Sequence, residues 1–206
     1  MTLPYAGRPG VFDLFSPTLL PNFNRPFITN GVLGYQSPAE FVQNNPRTPA
    51  QVEAVIGGTI TAGNTVTLTL TQGQLPNGAI SVTYTVASGD SDGIVAESLA
   101  SLLGAALYAA GIPAYVTVSE ATLTVNWEGP LGNYATLSYT LSSGATETVT
   151  LTPSSGVLSG GAGPVFCSNN FNYSYNNSTM SFFYGEPYVL GDDLLSQLVT
   201  QNMPVV

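Results

Sequence analysis

Histidine and lysine are absent from this chain, and cysteine occurs once, at Cys167. Without histidine there is no Ser-His-Asp or Cys-His relay and no imidazole to ligate a metal, and without lysine there is no Schiff-base chemistry. A single cysteine cannot close an intramolecular disulfide. Cations are as scarce: three arginines, Arg8, Arg25 and Arg47, are all the chain has. Nucleic acid as a partner is therefore excluded, because phosphate neutralisation needs clustered Lys or Arg. No apolar run approaches the roughly 18 residues that span a bilayer, so no membrane is expected. The first ten residues lack the charged start and apolar run of a signal peptide. The expectation is a chain made in a cytoplasm and soluble or assembled thereafter.

Charged residues make up only 7% of the 206, against roughly 25% in ordinary soluble domains. The surface must then consist of Thr, Ser, Asn, Gln, Gly and apolar atoms, a composition suited to burial against neighbours. The net charge of -9 is also unevenly placed. All three arginines fall in the first fifty residues, where Asp13 and Glu40 leave a balance of +1; the remaining 156 residues hold ten acids and no base, for -10. That asymmetry suits an arm of one subunit lying on the body of another, with arginine supplying forked hydrogen bonds.

Twelve carboxylates could in principle furnish a glycosidase pair, which needs two of them roughly 5 to 10 Å apart in a cleft. Here they are scattered through turns and strand ends, and the chain reads as no enzyme, with no catalytic residue. Gly89-Asp-Ser-Asp-Gly93 with Glu97 superficially resembles a calcium loop. It is too short for an EF-hand and lacks the later ligands, so it reads as the start of a helix, with Asp90, Ser91 or Asp92 as N-cap and Gly111 and Pro113 as the stop; neither metal nor cofactor is expected. Asn172-Tyr-Ser174 and Asn177-Ser-Thr179 match glycosylation acceptors, which weigh little without a signal peptide. Gly57-Gly58 and Gly160-Gly161 open no helix with a lysine and are backbone devices, not phosphate loops.

Eight of the fifteen prolines lie in residues 1–50, interleaved with large apolar side chains. Proline fixes φ and cannot join a ladder interior, so the segment is predicted to be an extended, irregular arm and not sheet or long helix. It is too aromatic for a solvated tail, since each buried large side chain contributes roughly 1.5 to 3 kcal/mol. Its candidate contact residues are Arg8, Phe12, Phe15, Phe23, Arg25, Phe27 and Arg47. Ser37 and Glu40 stand in the capping-box relation with Pro38 between them, which predicts a short helix over 38–44.

From Val52 the texture changes to alternating strands separated by turn signals, predicted near 52–61, 65–71, 79–87, 114–119, 122–128, 135–141 and 147–152. In Thr65-Val-Thr-Leu-Thr-Leu-Thr71 the alternation is strict; a one-residue slip would invert every side chain, so the register is well specified. The inward set is completed by Val116, Val118, Leu123, Val125, Trp127, Leu137, Tyr139, Leu141, Val149 and Leu151. Between the third and fourth strands, Val95, Leu99, Leu102, Leu103, Ala106 and Leu107 recur at helical spacing. The other face of that helix carries Ala96, Ser98, Ala100, Ser101, Ala105 and Ala109, with Glu97 its one charge. A cover over that face is expected too. Gly104 in mid-helix is most easily explained by close approach of another backbone.

Residues 153–164 read as a Ser/Gly-rich linker. Beyond it, Phe171-Asn-Tyr-Ser-Tyr175 and 179–184 form an aromatic hairpin around Asn176-Asn177-Ser178, with Phe171, Tyr173, Tyr175 and Tyr184 as candidate contact residues. Exposed, such a hairpin would aggregate, so it should pair with a sheet edge or a neighbour. A last short helix is predicted over 192–201.

The fold class is α+β: an antiparallel sheet or sandwich of about seven strands, one amphipathic helix after the third strand, an extended N-terminal arm and a C-terminal aromatic hairpin. The domains read as arm 1–50, β-rich core 51–153 with a helix at 92–110, and linker, hairpin and helix 154–206. The run Ile56-Gly-Gly-Thr-Ile-Thr-Ala-Gly-Asn-Thr-Val-Thr-Leu-Thr-Leu70, with Val82-Thr-Tyr-Thr-Val86, Gly89-Asp90 and the Ala/Leu-rich helix, resembles a module common in virion structural proteins of tailed bacteriophages. The resemblance covers about residues 54–152 and brings no functional residues with it. It implies a non-enzymatic virion component, an auxiliary head protein of the decoration, cement or minor-capsid kind, homo-oligomeric or bound to a major capsid or tail protein. A tail-tube, connector or fibre-base protein is the alternative within that class. Outside it stands a carbohydrate-binding adhesin module, with Tyr173, Tyr175, Tyr184 and Tyr188 as an exposed stacking platform.

Overall fold

The computed structural model of the chain describes residues 25–29, 32–36, 46–176 and 178–205. Two strands come first, β1 (Arg25–Thr29) and β2 (Val32–Gln36), antiparallel with Arg25 opposite Gln36 and Thr29 opposite Val32. This corrects the expectation of an arm without sheet. A two-stranded ribbon consists only of edge strands, where the missing N–H of Pro26 can face away from the partner. The helix expected at 38–44 lies outside the described residues.

The chain divides into two compact units, the first of them Thr48–Ala162. This body contains β3 (Pro49–Gly58), β4 (Thr65–Thr71), β5 (Ala79–Thr85), α1 (Asp92–Ala109), β6 (Ala114–Ser119), β7 (Thr122–Glu128), β8 (Thr136–Leu141) and β9 (Glu147–Thr152). Every strand pair is antiparallel, in two sheets of order β6-β7-β3-β9 and β5-β4-β8. The inner faces of both sheets contribute to one core: Val52, Ala54 and Ile56 with Leu123 and Val125 from one, Val66, Leu68, Leu70 and Leu137 from the other. The body is therefore the α+β arrangement of seven strands and one inserted helix that the alternation implied. Trp127 is fully buried, as expected of a core anchor. Tyr139 is not: it keeps 40% of its surface exposed, on β8, an edge strand of its sheet.

Helix α1 starts where Ser91 Oγ accepts a hydrogen bond from the Ile94 amide, with Asp92 in the first turn. An acid there is favoured by the helix dipole. It ends at Gly111, whose φ of 68° is the left-handed conformation that closes a helix. The helix packs on β5 and β6, an edge strand of each sheet, and so closes one side of the body. Its buried stripe is Val95, Ala96, Leu99, Ala100, Leu103 and Leu107. This corrects the sequence reading, which put Leu102 and Ala106 inward and Ala96 and Ala100 outward. The methyl side chains of Ala96 and Ala100 allow close approach to the strands, leaving Leu102 at the flank, 43% exposed. By length and composition α1 could also cross a bilayer, which the apolar-run criterion passed over. In the body it has the buried stripe of a core helix.

Residues 153–162 are packed, contrary to the linker reading. Leu137 donates its amide to the Gly156 carbonyl and Leu158 donates to Ala135, while Gln51 and Ser159 exchange a pair of backbone bonds. Leu158 is 1% exposed. The segment thus ties β8 of one sheet to β3 of the other. Its pairing is irregular and its turns need glycine, so it shows no periodicity that alternation could register.

The second unit takes in the residues before Thr48 and after Ala162. It contains β10 (Val165–Phe166), β11 (Phe171–Tyr175), β12 (Ser178–Phe182), β13 (Pro187–Tyr188) and α2 (Asp192–Thr200). Strands β11 and β12 form the expected aromatic hairpin, β10 pairs with β13, and Cys167 bridges to Tyr184 and Val205.

Candidate functional site

Three of the body's seven exposed large apolar side chains lie on α1; Val55, Tyr115, Tyr139 and Val157 are the others. Ile94, Leu102 and Tyr108 are 44%, 43% and 88% exposed. Ile94 and Tyr108, with Ser101, Ala105 and Ala109, also exposed, make up the face opposite the buried stripe, and Leu102 lies at its flank. Glu97 is the one charge on that face beyond the Asp92 start. Solvated helices normally carry several charges there.

The rest of the body surface is equally poor in ions. Between Thr48 and Ala162 there are seven carboxylates and no base, so no ion pair can form within the body. On the outer face of the three-stranded sheet the hydroxyls satisfy one another: Thr67 with Thr83 at 2.7 Å and Thr69 with Ser81 at 2.8 Å. Such pairs need little water, and a neighbour covering them would strip less hydration than it would from charged side chains.

Gly104 does not have the neighbour its position suggested. A Cβ built there meets nothing within 4 Å among the described residues, so none of them supplies a reason for glycine. Gly104→Ala is expected to stabilise the isolated protein by about 0.5 to 1 kcal/mol, read as a raised urea midpoint at unchanged slope. A loss of stability would place an unseen contact at that flank.

The residues nominated from the sequence are dispersed. Arg8, Phe12, Phe15 and Phe23 lie outside the described residues; Arg25 and Phe27 fall on β1. Arg47 places its guanidinium 5.7 Å from the centroid of the Phe166 ring, a cation-π contact inside the second unit. Phe171 stacks on Phe182 with centroids 4.7 Å apart. Tyr173 is 7% exposed, its hydroxyl donating to Gln197 Oε1 and accepting from Gln201 Nε2. The Tyr175 hydroxyl donates to Asp193 at 2.5 Å, and that bond, with lesser contributions from burial and the nearby charge, pushes its pKa up. The Tyr188 hydroxyl accepts the Phe183 amide. These aromatics fasten the hairpin and its neighbours to α2 and to one another, a role that their alternation with polar residues did not reveal. Of the four tyrosines a glycan platform would need, only Tyr184, at 67%, is largely exposed.

The remaining chemistry is structural. Asp90 accepts hydrogen bonds from the Tyr84 hydroxyl and the Ala87 amide, and Ser91 caps α1, so the loop that resembles a calcium site serves the helix start. Cys167 is buried and its thiol pKa is pushed up to about 12 by burial, far from a nucleophile's value. No group of three or more His, Cys, Asp or Glu that could hold a metal occurs among the described residues. Among the buried ionisable residues missed in the sequence is Glu147, 2% exposed. Its parity with Val149 and Leu151, both assigned inward, was the signal that could have found it. The chain matches no family model and no curated protein sequence.

Proposed function

We propose that this chain is a non-enzymatic structural subunit of a virion, an auxiliary head protein that binds the outside of a shell and tightens it through contacts between polypeptides. Placement in a tail, as a tube, connector or fibre-base component, is the second form of the same reading. The observation that supports it is the outer side of α1, where Tyr108 stands in solvent and Ile94 and Leu102 are partly exposed, beside a single carboxylate. A patch of that kind is characteristic of surfaces covered in the working state.

The charge distribution narrows the partner. A second acidic body would be repelled, whereas the first fifty residues carry every arginine and a run of Phe, Leu and Pro. An N-terminal segment from a neighbouring copy has the chemistry the body lacks. The test is incorporation into particles by the full chain and by a variant lacking residues 1–45, which stops short of β3. Sizing of the free protein shows whether it self-associates. Loss of incorporation is the expected result; unchanged incorporation would remove the segment from the contact.

A further inference from the structure

We propose that Glu147 is an acid-sensitive latch: as a carboxylate it holds the loop between β3 and β4 closed, and on taking up a proton it lets that loop go. The geometry is a buried anion surrounded by donors. Oε1 accepts the Thr61 amide at 2.6 Å and Oε2 accepts Asn64 Nδ2 at 2.7 Å. The backbone of Thr146 and of Glu147 itself also favours the charged form. A protonated carboxyl in this nest would turn a donor toward groups that are donors already, and the charge-assisted bonds would be lost.

Among the described residues of the loop and its surroundings, no other group can take the role. From the end of β3 and the loop, residues 57–64 contain no titratable side chain, and neither do residues 142–146 or Thr148 beside Glu147. The nearest carboxylate along the bonded chain is Asp90, engaged by Tyr84 and Ala87. The loop is also coupled outward. Gly63 donates its amide to the Val86 carbonyl, and Val86 donates its own to Asn64. Residues 87–91 then lead into α1, so a loosened loop slackens the approach to the exposed helix.

Burial on its own would raise the pKa of Glu147, but the hydrogen bonds outweigh it and hold the group below its ordinary value of 4.5. With the folded value below the unfolded one, the stabilisation is complete above the unfolded pKa. It disappears as pH falls through the folded value.

Hydrogen exchange of the whole protein between pH 7 and pH 3, expressed as protection factors, reads the latch directly. In the native sequence the Thr61 and Val86 amides are expected to lose protection at least tenfold more than the β4 core amides as the pH falls. In Glu147→Gln the same two amides are expected to be poorly protected at pH 7 and insensitive to pH. Asn64→Ala keeps the carboxylate and removes one donor, so its opening midpoint should move to higher pH; this variant decides the matter if Glu147→Gln does not fold. Protection at Thr61 that is independent of pH, or that merely follows the β4 core, overturns the proposal. So does an Asn64→Ala midpoint equal to that of the native sequence.

Discussion

Gly156→Ala is expected to destabilise the body by about 3 kcal/mol, the largest loss foreseen for any single methyl group added to this chain. Two effects combine. Gly156 has φ of 71°, where a side chain costs about 1 to 2 kcal/mol. The new Cβ would also run into the Leu137 carbonyl oxygen and lie 3.2 Å from Leu151 Cδ1, and overpacking of this sort costs roughly 1 to 3 kcal/mol. Retreat is blocked, because the Gly156 carbonyl accepts the Leu137 amide at 2.8 Å and its N–H donates to Pro153 at 2.8 Å. Gly144 separates the two effects: its φ is 78°, yet a Cβ there meets nothing within 4 Å. Gly144→Ala should therefore lose only the conformational part, about 1 to 2 kcal/mol. Equal losses in the two variants, measured by chemical denaturation, would mean that residues 153–162 do not knit the sheets together as described.

That segment also shows where a sequence stops being legible. The strands could be read because their evidence is local and repeated: Val66, Leu68 and Leu70 alternate with threonine, and all three are fully buried. The ends of α1 could be read because Ser91 and Gly111 are chemically suited to begin and end a helix. The rotation of α1 could not. With Ala or Leu at most positions, a 3.6-residue period admits neighbouring stripes, and only the strands it meets select Ala96 and Ala100 over Leu102 and Ala106. In the arm, proline density concealed β1 and β2, though Asn30-Gly31 between them is the strongest short hairpin signal. The aromatic hairpin is legible, but what it packs against is not. Tyrosines alternating with Asn and Ser look the same whether their hydroxyls face a stranger or, as with Tyr173 and Tyr175, the side chains of α2.

The proposed contact face on α1 leads to the other large effect. Tyr108→Gln is expected to leave the free protein's unfolding free energy within about 0.5 kcal/mol, because that side chain is 88% exposed. Incorporation into particles at limiting concentration is expected to fall at least tenfold, the equivalent of about 1.4 kcal/mol of lost contact energy. A tyrosine as exposed as Tyr108 is the kind of residue that anchors an interface once covered. Glutamine adds no charge, so a loss could not be attributed to extra repulsion from an already acidic body. Gly104→Ala supplies the complementary measurement. If a neighbour's backbone approaches at that flank, the variant should gain stability alone and lose incorporation, a division that an uncovered helix cannot produce. Undiminished incorporation of both variants would leave the exposed side of α1 as ordinary surface and move the contact elsewhere on the chain.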